Sequence, residues 1–118
     1  MSIVTMVLGE SGTGKSASLR NLGPANALLI QAVRKPLPFK SPEWKRFDNE
    51  TCRTGNIFHT DHAGQIITLM RKTKRKIIVL DDFQYVMANE FMRRTNEKGF
   101  DKFTEIGKNA WDIINAAA

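Results

Sequence analysis

An α/β fold, in which helices flank a parallel sheet, is what this 118-residue sequence predicts, and three observations predict it. Short aliphatic runs alternate with segments of helical period. A glycine-rich turn joins the first run to the first such segment. A later run of four aliphatic residues ends in two aspartates. The length and the 42% hydrophobic content suit one domain over residues 1–118, with one core.

Ile3 to Leu8 is apolar, ends at Gly9 and reads as a buried parallel strand entering the turn. Lys15 to Leu22 is the expected first helix. Leu19 and Leu22 share a face, Gly23 suits the left-handed C′ position and Pro24 blocks continuation. Ala27 to Ile30 is the second strand. Between Val33 and Asn56 the apolar pattern fails around Pro36, Pro38 and Pro42, which fix φ and remove backbone donors. Within that excursion, Ser41 before Pro42 has the form of an N-cap, so Pro42 to Phe47 is expected as one short helix. Asn56 to His59 reads as a short extended segment. Ala63, Ile66, Ile67 and Met70 then mark an amphipathic helix, and the basic stretch Arg71 to Lys76 suits the negative end of its dipole. Ile77 to Leu80 is a buried strand. Phe83, Val86, Met87 and Phe91 mark the next helix, Thr95 to Gly99 a break, and Phe103, Ile106, Ala110, Ile113 and Ile114 the last helix.

The turn Gly9-Glu10-Ser11-Gly12-Thr13-Gly14-Lys15-Ser16 fits the pattern G-x-x-x-x-G-K-[ST], between the strand and the helix which that pattern requires. Glycines at 9, 12 and 14 adopt backbone angles forbidden to other residues, so successive N–H groups turn inward and form a nest for phosphates. The helix from Lys15 through Ser16 and Ala17 adds its dipole and orphan N–H groups. Lys15 is expected on the β- and γ-phosphates, and the Ser16 hydroxyl on magnesium. A chance match is expected roughly once in a few hundred chains of this size. Such a phosphate loop needs a carboxylate across the site, at the end of another buried strand. Ile77-Ile78-Val79-Leu80-Asp81-Asp82 offers one, with Asp81 expected to serve the metal. Asp82 either orients or deprotonates the attacking water, or caps the following helix.

The net charge of +6 favours polyanionic partners. Arg71, Lys72, Lys74, Arg75 and Lys76 could contact phosphates of a nucleic acid or form a solvated helix end, and Arg93 and Arg94 add a second basic pair. No apolar run approaches the roughly 18 residues of a membrane span, and the first strand begins near Met1, where a signal peptide would lie. Cys52, the one cysteine, excludes an internal disulfide, and a cytoplasmic protein is expected. Cys52, His59 and His62 lack zinc-ligand spacing. Trp44 and Trp111 read as packing residues.

GESGTGKS and IIVLDD together resemble the P-loop ATPases of the additional-strand class, which includes RecA-like and AAA-type enzymes. More narrowly, LDDFQYVMANEFMRR and GFDKFTEIGKNAWDII look like bacteriophage AAA-family nucleotide-binding proteins. That resemblance implies ATP with Mg2+, a magnesium-dependent ATPase, a setting in phage DNA metabolism or recombination, and the host cytoplasm. Single-stranded DNA or a recombination protein would be the partner, with a homo-oligomer possible; arginine fingers are not carried over from the family, and a role of Arg93 or Arg94 on a neighbour's nucleotide is a separate reading of that basic pair. The class also carries a later strand between the P-loop strand and the Asp81 strand. The fold is therefore expected to be incomplete at the C-terminus, and the chain alone marginally stable or self-associating. Other readings are a non-hydrolysing nucleotide-binding module, a P-loop kinase and a GTPase; the last lacks its Asn-Lys-x-Asp motif here.

Overall fold

A computed structural model describes residues 3–5, 19, 22–34, 37, 44–48, 50 and 55–117. Among the described residues, six regular elements follow a short 3-10 turn at Pro24–Asn26: β1 (Ala27–Gln31), β2 (Ile57–His59), α1 (Ala63–Lys72), β3 (Ile77–Asp81), α2 (Gln84–Arg93) and α3 (Asp101–Ala117). The described strands form a parallel sheet in the order β2-β1-β3. Leu29 is in register with Ile57 on one side and Val79 on the other, and Gln31 with His59 and Asp81.

All five residues of β1 are buried, and their alternation sorts them onto two faces. Leu28, Ile30 and Ala32 pack with Ile66 of α1, Val86 of α2 and Ile113 of α3, beside Ile78 and Leu80 of β3. Ala27 and Leu29 face the other way, onto Trp44 and Ile57, with Leu19, Leu22, Leu37 and Val79 packed around them. Leu19 and Leu22 thus share one apolar surface, as their spacing predicts, and the Leu22 N–H donates to the Leu19 carbonyl at 3.0 Å. The α1 helix connects β2 to β3 by passing over β1, the crossover that two parallel strands flanking a third require. On β3 the residues are only half-buried, with Ile77 38% exposed, because among the described residues β3 has a strand neighbour on one side alone.

Three expectations need correction. Ile3, Val4 and Thr5 belong to no strand and are exposed, Ile3 at 93%; Met6 to Leu8 lie outside the described residues. The expected helix at Pro42 to Phe47 is not formed over its described part. Arg46 instead bridges Ile57 in parallel, and the backbone bonds are those of a strand: Phe47 N–H to Ile57 O at 2.8 Å, Asn56 N–H to Lys45 O at 2.8 Å. The Asn56 side chain accepts from Lys45 N–H at 2.9 Å, Phe47 stacks on Phe58 with centroids 4.6 Å apart, and Trp44 enters the core. Long-range pairing and burial of an indole outweigh a local capping signal. Trp111 does not pack as expected and is 59% exposed. The buried positions of α3 are Ile106, Ala110 and Ile113, and one step of about 100° from Ala110 turns the indole outward.

Gly55 is fixed by close approach. A Cβ there would lie 2.5 Å from the Cα and N of Phe47, backbone atoms that no side-chain rotation can move.

Candidate functional site

Every strand of a parallel sheet ends on the same edge, and in open α/β sheets ligands bind in the crevice outside that carboxyl edge. Here the edge is formed by Gln31 at the end of β1, His59 at the end of β2 and Asp81 at the end of β3, all in one register row. It is stitched together by Thr60 N–H to Gln31 O at 3.1 Å and Ala32 N–H to Asp81 O at 3.3 Å. Gln31 and Thr60 are its buried polar residues.

Four aliphatics drive β3 into the sheet, so Asp81, the last strand residue, is delivered to the edge at partial burial. Asp82 follows at φ 58, a left-handed conformation that Asp and Asn tolerate better than other non-glycine residues. Its carbonyl accepts from Tyr85 N–H at 2.9 Å, and the Phe83 carbonyl from Val86 N–H at 3.0 Å, which starts α2. The N-cap of α2 is Phe83, without a side-chain capping bond. The two adjacent aspartates are therefore set on different backbones, one on a strand end and one on a left-handed turn.

Gly9 to Ala17, including Lys15 and Ser16, lie outside the described residues, as does Cys52. Among the described residues no three His, Cys, Asp or Glu side chains converge as a metal cage.

A second polar cluster at the same edge escaped the motif reading. Asp61, just beyond β2, accepts from the Asn89 amide at 2.8 Å and pairs with Arg93 at 3.0 Å and His62 at 3.7 Å. Burial pushes the Asp61 carboxyl up, but the Asn89 bond and the nearby Arg93 and His62 outweigh it and hold the group below its usual range. Its one sequence signal, a place just past an extended segment, is weak because β2 is only three residues long. A cleft of about 610 Å³ opens beside this cluster, lined by His62, Gln65, Glu90, Arg93, Arg94 and Asn109 among others.

The basic pair Arg93 and Arg94 separates into two roles. Arg94 is held by Glu90 at 3.0 Å, Glu97 at 2.6 Å and Glu105 at 2.7 Å, and those bonds, Glu97 first, raise its pKa above the ordinary guanidinium value. With its side chain 17% exposed and tied to α3, Arg94 joins the two helices and is not presented to a neighbouring molecule. Arg93, 37% exposed, is the more accessible.

Comparison with known proteins found no family model, no curated protein and no solved structure that matches this chain.

Proposed function

We propose that this chain binds a nucleoside triphosphate, ATP with magnesium, at the carboxyl edge of its sheet, and that it is an ATPase of the bacteriophage AAA type working in DNA metabolism or recombination. The observation that carries the reading is the position of Asp81, the last residue of an aliphatic parallel strand, in a chain whose sequence also holds Gly9 to Ser16. In such a site the backbone N–H groups of Gly9 to Gly14 would cradle the phosphates, Lys15 would neutralise the β- and γ-phosphates, and Ser16 and Asp81 would hold the ion, Asp81 through its water shell. Magnesium would draw charge from the triphosphate. The left-handed turn at Asp82 supports a task different from that of Asp81: its carboxylate would orient or deprotonate the attacking water. Loss of magnesium-ATP binding on Lys15→Ala tests the reading.

A further inference from the structure

The fold gives the basic run Arg71–Lys76 a location that its sequence does not disclose. The run lies between the C-terminal end of α1 and the first residue of β3, at the amino edge of the sheet, about 15 Å along β3 from Asp81. The Arg75 guanidinium donates to the Ala25 carbonyl at 2.8 Å, which pins the run against the turn that opens β1. Arg71, Lys72, Lys74 and Lys76 are exposed.

These four cations differ from the partnered cations of α2, α3 and the turn between them. Arg93 pairs with Asp61, Arg94 with three glutamates and Lys108 with Asp112. Lys102 donates to the carbonyls of Arg94 and Glu97 and lies over the rings of Phe91 and Phe103. The amino-edge cations have no acidic partner among the described residues, and the sequence holds no acidic residue from His62 to Leu80. Asp61, Asp81 and Asp82 end or follow strands at the carboxyl edge, where Arg34 and Arg93 also lie, whereas the amino-edge run carries positive charge with no acidic residue in it.

We propose that the amino edge is a nucleic-acid docking surface that grips the phosphate backbone of a duplex through Arg71, Lys72, Lys74 and Lys76. No Phe, Tyr or Trp occurs from His59 to Asp82, so the run itself offers no platform for stacking bases, on which single-strand recognition depends. It has cations only, which suits the partner with the denser phosphate charge, and it reads no sequence. The inference shares with the proposed function only the expectation of a nucleic-acid partner. It requires no bound nucleotide.

The test is binding of a fluorescein-labelled random-sequence 30-base-pair duplex, and of one of its strands, measured without nucleotide at 50 to 200 mM salt. Four phosphate contacts predict a slope of log K against log salt of about −3.6, so that the duplex affinity falls about 150-fold across that range. In Lys72→Gln/Lys74→Gln/Lys76→Gln the slope falls to about −1 and the loss to about 4-fold, while magnesium-ATP affinity stays unchanged. A control, Lys98→Gln/Lys108→Gln, keeps the parent slope. The proposal is overturned by tighter binding of the single strand, by an equal drop in slope in the control, or by binding to vesicles containing phosphatidylserine but not to the duplex. Failure of duplex binding with magnesium-ATP binding intact removes this inference alone, and the converse removes the nucleotide reading alone.

Discussion

The left-handed turn at Asp82 can be separated from the chemistry of its carboxylate by three substitutions at one position. Asp82→Ala and Asp82→Gly remove the same side-chain contacts and differ only in their tolerance of φ 58. A non-glycine residue pays about 1–2 kcal/mol in the left-handed region, and glycine, which avoids that cost, loses about 0.5–1 kcal/mol more chain entropy on folding than alanine. The balance leaves Asp82→Gly about 0.5–1 kcal/mol more stable than Asp82→Ala, a difference of about 2–5 °C in melting midpoint for a domain near this size. Asp82→Asn keeps a residue that tolerates the turn and stays close to the parent in stability. If the carboxylate acts on the attacking water, all three variants still bind magnesium-ATP and lose about 100-fold or more in turnover. Urea unfolding and steady-state phosphate release are the two assays. Equal stabilities for the alanine and glycine variants would refute the backbone argument. Undiminished turnover in Asp82→Asn would refute the catalytic one.

Gly55→Ala forces a Cβ to within 2.5 Å of the Phe47 backbone and is expected to cost about 2–3 kcal/mol, the scale of overpacking that rotamers cannot relieve; a change below about 0.5 kcal/mol in urea unfolding would contradict the parallel pairing of Arg46 with Ile57. Asp61→Asn removes the ion pair to Arg93 and is expected to cost about 1 kcal/mol at neutral pH. Because the native Asp61 carboxyl titrates below its ordinary value, its ionised form stabilises the fold above about pH 4, and that contribution is lost as pH falls through the lowered native value. The gap between parent and variant therefore holds from pH 7 to about 5 and closes in acid; a gap that widens on acidification would contradict the assignment.

Sequence periodicity located α1, β3, α2 and α3 to within a few residues, because each carries its own apolar spacing. The second strand was equally legible, since Ala27 to Ile30 is buried on both faces and reads as a continuous apolar run. Pro42 to Phe47 was misread because the capping signal is local, whereas the bonds that decide the segment come from Lys45, Asn56 and Ile57, about ten residues apart in sequence. Trp111 was misread because one helical position separates the buried face of α3 from its flank. On the site side, Asp81 was legible from the aliphatic run that carries it. Asp61 was not, because β2 is three residues long and Asn89 and Arg93 reach Asp61 only through the tertiary fold. The different fates of Arg93 and Arg94 also lay beyond sequence. Adjacent residues on a helix point about 100° apart, and only the placement of α3 brings Glu105 to one of them.

The central claim is that this chain holds a magnesium-nucleoside triphosphate with Lys15 on its phosphates, and isothermal titration of magnesium-ATP into the parent and Lys15→Ala proteins tests it most directly. The account predicts saturable binding by the parent. In the variant the affinity falls by about 100-fold, the equivalent of about 3 kcal/mol of charge-assisted bonding to phosphate oxygens. Equal affinity in the two proteins, or no binding by the folded parent, would contradict it.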